Sequence, residues 1–205
     1  MKVTIADYGL GNITSVQRAF ERVGAETLRT GDPKDISRAE ALAVPGVGAF
    51  RQAMVNLERL GLTAPLMDYL SRGRPYLGIC LGMQILFSES LEYGHHSGLD
   101  IIPGRVGKIT GDVKIPHMGW NRVEPEPAGS EMFNGIPGGE FFYFDHSFCA
   151  VPREPDAVAA VTEYGGSIVS AVSDGKIWGV QFHPEKSAAP GLKLIENFLK
   201  FSEEA

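Results

Sequence analysis

The chain has 205 residues, of which 43% are apolar and 21% charged, and its formal net charge is −6. That size and balance fit one ordinary globular domain, residues 1–205, able to bury a core without disulfides or metals. The acidic charge lacks the basic footprint of a nucleic-acid binder, and no apolar run reaches the ~18 residues that cross a bilayer, so neither nucleic acid nor a membrane is expected as a partner. Cys80 and Cys149 are the two cysteines. Two are too few for a disulfide framework, and no secretory or transit signal opens the chain, so a reducing, cytoplasmic setting is expected.

Val3–Ala6 reads as a short apolar strand that runs into the turn Asp7-Tyr8-Gly9-Leu10-Gly11-Asn12. A helix follows from about Thr14 to Val23, with Val16, Ala19, Phe20 and Val23 at helical spacing, and Gly24 stops it. Ala41–Val44 is a second apolar strand, broken by Pro45-Gly46-Val47-Gly48; helices follow to about Leu60 and from Pro65 to Leu70. Pro75–Ile79 is a third strand, with a helix starting at or just after Cys80. Strands alternating with helices predict a mainly parallel sheet covered on both faces. From Gly104 to Ser147 the pattern changes to short β segments punctuated by Gly and Pro. Ala157–Val161, Ser167–Val172 and Lys176–Phe182 read as strands, the last two joined by a turn at Ser173-Asp174-Gly175. A helix from Pro190 to Phe201 closes the chain. The fold class is therefore α/β: a three-layer sandwich with a mainly parallel central sheet and an antiparallel β extension.

The strongest chemical signal is Gly78-Ile79-Cys80-Leu81-Gly82, where an apolar strand meets a helix. A nucleophile on such a tight turn needs small neighbours, and a helix N-terminus brings partial positive charge to the sulfur. The Leu81 N–H would face an oxyanion formed at Cys80. The bland alternative is a small buried cysteine in a strand–helix turn. The second signal is Gly179-Val180-Gln181-Phe182-His183-Pro184-Glu185. Residues two apart on extended backbone face one way, and Pro184 biases His183 toward that geometry, so His183 and Glu185 can share a side. His183 would then be the base for Cys80, with Glu185 orienting its ring. Alone, His-Pro-Glu is as readily a surface turn; the cysteine elbow gives it a purpose. The third signal, Pro45-Gly46-Val47-Gly48, can offer a backbone N–H to an oxyanion or serve as a plain connecting turn.

These three motifs, in this order, resemble those of the class I glutamine amidotransferases. A narrower resemblance, to the glutaminase subunits of imidazole glycerol phosphate synthase, rests on Asp7-Tyr8-Gly9-Leu10-Gly11-Asn12, Pro45 to Phe50 and above all Pro116-His117-Met118-Gly119-Trp120-Asn121. The resemblance implies a Cys80, His183, Glu185 triad and an oxyanion hole at the N–H groups of Val47 and Leu81. It implies that Gly48, Gln84, Glu92, His146 and Ser147 hold L-glutamine, with Glu92 on the substrate ammonium. It also implies a heterodimer with a cyclase subunit, a (β/α)8 barrel that receives the ammonia, with Asn12, His117, Met118 and Trp120 at or near the contact. Phe144-Asp145-His146-Ser147-Phe148 departs from the family pattern: Asp145 replaces a common apolar residue and Phe148 lacks a hydroxyl.

Other features attract no role. Cys149 has no elbow, His95 and His96 sit in a polar Gly-flanked loop, and no Cys/His set has zinc spacing, so no metal or cofactor is expected. The Gly9–Gly11 turn lacks the third glycine of a dinucleotide loop. Two rival functions share the fold: the glutaminase of pyridoxal phosphate or anthranilate synthase, and a catalytically silent binding subunit. The Pro116–Asn121 run argues against the first, and intact Cys80, His183 and Glu185 against the second.

Overall fold

The computed structural model describes residues 1–204; Ala205 lies outside the described residues. The first half is built from β1 (Lys2–Ala6), α1 (Ile13–Arg22), β2 (Glu26–Thr30), α2 (Pro33–Arg38), β3 (Ala41–Gly46), α3 (Phe50–Arg59), α4 (Thr63–Ser71), β4 (Tyr76–Cys80) and the single turn α5 (Leu81–Gln84). The second half contains β5 (Phe87–Ser90), β6 (His96–Ser97), β7 (Ile102–Lys108), β8 (His117–Pro125), β9 (Glu140–His146), β10 (Phe148–Pro152), β11 (Val158–Glu163), β12 (Ser167–Asp174), β13 (Ile177–Val180) and α6 (Ala188–Glu204).

Strands β2-β1-β3-β4-β13 lie side by side, all parallel. Beyond β13 the sheet continues through antiparallel β12, β10 and β7. A branch runs from β12 through β11 and β8 to β9, antiparallel throughout. Mixed order of this kind follows from the connections: helical crossovers give parallel neighbours, while tight turns such as the one between Asp174 and Ile177 give antiparallel ones.

The parallel strands alternate between two cores. Val3 and Ile5, Ala41 and Ala43, and Leu77 and Ile79 face α1 and α6, joined by Val16, Phe20, Leu194 and Phe198. Leu42, Val44 and Tyr76 face the opposite layer, with Ile36, Leu57, Leu66 and Tyr69 from α2, α3 and α4. These are the three layers expected. In the first half two elements were not expected: β2 is a polar edge strand, Glu-Thr-Leu-Arg-Thr, without an apolar signature, and α2 is a short helix capped by Asp32. The consequence for function is at the strand ends. Gly46 pairs with Cys80, and Ile79 with Val180, so β3, β4 and β13 deliver the Val47 loop, the cysteine and His183 to one edge.

Candidate active site

Cys80 ends β4 with φ 54° and ψ −107°, a conformation in which a side chain is strained. Packing around the turn holds it there. A Cβ at Gly82 would lie 1.7 Å from the Val44 carbonyl oxygen, and one at Gly78 2.5 Å from the Gly82 carbonyl oxygen. The Tyr76 hydroxyl donates to that same Gly82 oxygen at 2.7 Å. The expected helix after Cys80 is only the four residues of α5, so its aligned dipole is small.

His183 lies three residues beyond the end of β13 and caps the 3-10 turn Pro184–Lys186 that carries Glu185. Its backbone N–H donates to the Tyr143 carbonyl at 2.8 Å, and the Ser187 hydroxyl donates to the His183 carbonyl at 2.6 Å, so the turn is clamped on both sides. His183 Nδ1 and Glu185 Oε1 are 2.9 Å apart, with both side chains almost fully buried. The carboxylate makes Nδ1 the protonated donor, which leaves Nε2 for Cys80. Among the described residues Nε2 has no hydrogen-bond partner of normal geometry, nor has Glu185 Oε2. Burial disfavours the imidazolium, but the neighbouring Cys80 and Glu185 favour it more strongly and push the His183 pKa up to about 10. Cys149 contrasts with this: burial pushes its thiol up to about 11.

A cavity of about 290 Å³ opens against Cys80. Val47, Gly48, Leu81, Gln84, Glu92, His146 and Ser147 all line it, together with Pro116, Asp145 and Phe148. The structure thus gathers every residue expected to hold substrate, from segments as distant in sequence as β3 and β9. Gly48 takes φ +103°, so the loop after β3 uses a backbone state open chiefly to glycine. Glu92 Oε2 accepts the Phe50 N–H at 2.6 Å and caps α3, which has no cap from its own N-cap residue, Ala49. Asp145 and Phe148, the two departures from pattern, both face the cavity.

His146 belongs to a chain of hydrogen bonds with a fixed direction. Its Nδ1 lies 2.8 Å from the Phe148 carbonyl, which can only accept, so Nδ1 carries the proton. Its Nε2 therefore accepts from His117 Nδ1 at 3.0 Å, and His117 Nε2 accepts from Asn121 Nδ2 at 3.2 Å. Burial lowers both imidazoles to about 4, consistent with two neutral rings. His117 is stacked between Phe144 and Tyr164, at centroid distances of 4.5 and 3.9 Å.

His117, expected at or near the partner contact, is 2% exposed, because it lies on the inner face of the β8–β9 pair. Met118 and Trp120 alternate to the outer face and are 61% and 52% exposed; Phe141 and Tyr143 on β9 accompany them. Asn12 is exposed and its side chain caps α1 by accepting the Ser15 N–H. The sequence reading passed over Asn121 and Gln181 as site residues. Gln181 was in principle accessible, since it precedes His183 by the same two-residue step that links His183 to Glu185. Among the described residues no helix is long and apolar enough to cross a membrane.

A thiol on a strained strand end, a buried His–Glu pair behind it and an amino-acid-sized cavity before it define a glutamine-hydrolysing site. The family model for class-I glutamine amidotransferases matches residues 4–201, and the chain belongs to that family. The PurLQS structure from Thermotoga maritima superimposes with TM-score 0.77 at 19% identity, over 98% of each chain. A structure described as a glutamine amidotransferase gives 0.75 at 20%, again over 98% of each, and both likenesses establish the fold. Imidazole glycerol phosphate synthase subunit HisH of Moorella thermoacetica is 49% identical over 197 residues, 96% of this chain and 93% of its own. The subunit of that name in Aquifex aeolicus is 44% identical over 204 residues, covering 99% and 98%. Within the class, the chain is a member of this HisH family.

Proposed function

We propose that the chain is the glutamine-hydrolysing subunit of an imidazole glycerol phosphate synthase, acting in the cytoplasm in histidine biosynthesis. It converts L-glutamine to glutamate and ammonia at Cys80 and passes the ammonia to a cyclase subunit. The observation that carries this reading is the single cavity that meets Cys80 on one side and is walled by Gly48, Gln84, Glu92, His146 and Ser147. Two free thiols suit a reducing compartment.

In the proposed reaction the Cys80 sulfur attacks the carboxamide carbon, and the negative oxygen is met by the N–H groups of Val47 and Leu81. The tetrahedral adduct collapses as the His183 imidazolium gives its proton to the departing nitrogen, releasing ammonia and leaving a thioester. His183, now neutral, takes a proton from water, whose oxygen attacks the thioester carbon. The second adduct expels the sulfur, and glutamate leaves. Glu185 holds the ring in the tautomer both steps need. Ammonia freed in water is mostly protonated at neutral pH and no longer nucleophilic, so direct delivery to a docked synthase is required. The outer face bearing Met118 and Trp120, with Asn12 exposed on α1, is the proposed docking surface. An exposed Trp beside Met and aromatics has the make-up of an interface anchor.

The test is glutamate release from glutamine by the chain alone, with the cyclase subunit, and with the cyclase's nucleotide substrate added. Release that depends on cyclase and ligand supports the whole reading. Full release that ignores the cyclase keeps the cysteine chemistry and removes the histidine-pathway assignment.

A further inference from the structure

Gln181 is fully buried one residue beyond β13, and its side chain has no role in the mechanism above. Its Nε2 lies 3.5 Å from the Cys80 sulfur, a normal length for an N–H···S bond, and its Oε1 lies 3.0 Å from Gln84 Nε2. The surroundings leave one choice for which end of this amide faces which neighbour. Gln84 Nε2 also donates to the Phe148 carbonyl at 3.0 Å. A carbonyl can only accept, so Gln84 turns its nitrogen toward it; Gln181 must then present oxygen to that nitrogen and its own nitrogen to the sulfur. The opposite orientation would set two NH2 groups against each other inside the protein.

The same carbonyl is held from its other side by His146 Nδ1, and His146 by His117 and Asn121. One acceptor-only atom, the Phe148 oxygen, thus sets the sense of two runs of hydrogen bonds. One run comes from Asn121 through two histidines, and the other leads through two glutamines to the nucleophile.

We infer that Gln181 is a further catalytic residue, whose amide N–H is aimed at the Cys80 sulfur and stabilises it as an anion, with Gln84 as the positioning residue that dictates the aim. The inference rests on the glutaminase reading and deepens it. A hydrogen bond given to a charged acceptor favours the charged form, and a buried sulfur next to a one-turn helix has few other donors. The titratable groups around Cys80 are His183 with Glu185 from the turn after β13, Tyr8 from the turn after β1, and Glu92, Asp145 and His146 across the cavity. Gln181→Met removes none of these groups, and the hydrogen bonds of the Gln181 side chain go to Cys80 and Gln84, so a change in the sulfur's behaviour reports on the amide.

The experiment uses the full chain and follows alkylation of Cys80 by iodoacetamide as a function of pH, read on the Cys80 peptide by mass spectrometry so that Cys149 does not interfere. Gln181→Met keeps the volume and removes the donor. Loss of one hydrogen bond to a charged group predicts Cys80 alkylation about tenfold slower at neutral pH, with its midpoint moved about one pH unit upward. The kcat for glutamate release should fall by a similar factor with KM nearly unchanged. A folded variant with the native alkylation midpoint overturns the inference. Should Gln181→Met fail to fold, the wild-type chain labelled with 15N-glutamine answers instead. The Gln181 side-chain amide resonance should shift when Cys80 is replaced in Cys80→Ser, and an unmoved resonance overturns the inference equally. Glutamate release absent from the native complex would sink the glutaminase reading, while the alkylation midpoints would still report on Gln181.

Discussion

At the carboxyl ends of β3, β4 and β13 the backbone itself sets the chemistry, whereas across β8 and β9 side chains set it. In the parallel region Cys80 sits at φ 54° in a turn so tight that a Cβ at Gly82 would strike the Val44 carbonyl and one at Gly78 the Gly82 carbonyl. In the antiparallel region His146 is placed by His117 and Asn121, reaching across paired strands. The first arrangement depends on what cannot be added to the chain, the second on what cannot be removed. They should therefore fail in different ways.

The largest effect belongs to the nucleophile. Cys80→Ala should lower glutamate release in the assembled synthase by at least about 10⁴-fold while leaving the melting temperature close to native, since only chemistry is lost. Substantial residual activity in a quench-timed glutamate assay would mean that Cys80 is not the attacking group. Next comes the backbone constraint. Gly82→Ala forces a methyl into a carbonyl 1.7 Å away and should cost about 3 kcal/mol or more, roughly 6–12 °C in Tm for a chain of this size. Gly107→Ala on β7 has open space around the new methyl and should stay within about 0.5 kcal/mol. Equal losses at the two positions, measured by thermal unfolding, would erase the distinction between the regions.

The outer face of β8 should be separable from its inner face. Trp120→Ala is predicted to weaken cyclase binding by about 2 kcal/mol, roughly 30-fold, without altering Tm, because the ring is half exposed. Titration calorimetry that finds native affinity would remove Trp120 from the interface.

The smallest effect is on pH dependence. His117 and His146 titrate at about 4 in the folded chain and near 6.5 when unfolded. The unfolded chain therefore binds their protons first, and their contribution to stability is present above pH 6.5 and lost as pH falls toward 4. His183 behaves oppositely: its pKa is raised to about 10, so its contribution is present below 6.5 and lost as pH rises toward 10. Urea unfolding of His117→Phe should have a shallower acid limb than the native chain. Identical acid slopes would mean that His117 is not held neutral.

Much of this was legible before any coordinates. The apolar runs Val3–Ala6, Ala41–Val44 and Pro75–Ile79 became three of the parallel strands because a strand buried on both faces must be apolar throughout. β2 escaped notice since an edge strand with one covered face needs no such run. Cys80, His183 and Glu185 were legible through glycine spacing and the two-residue step around Pro184. The same step pointed to Gln181, but an amide has no chemistry of its own until a neighbour fixes which end it presents. Which face of β8 His117 occupies was not legible for a related reason. Strand register decides whether a residue faces inward, and a shift of one residue reverses every side chain.

Local sequence thus determined what depends on short-range sterics: which residues bend, which must be small, and which neighbours share a side. Only the tertiary structure decided what depends on a partner far along the chain. Glu92 reaches Phe50, Gln84 reaches Gln181 and Phe148, and His117 reaches His146 across the β8–β9 pair. A buried polar group must find a partner wherever the fold brings one, and one-dimensional spacing carries no record of which distant atom that will be.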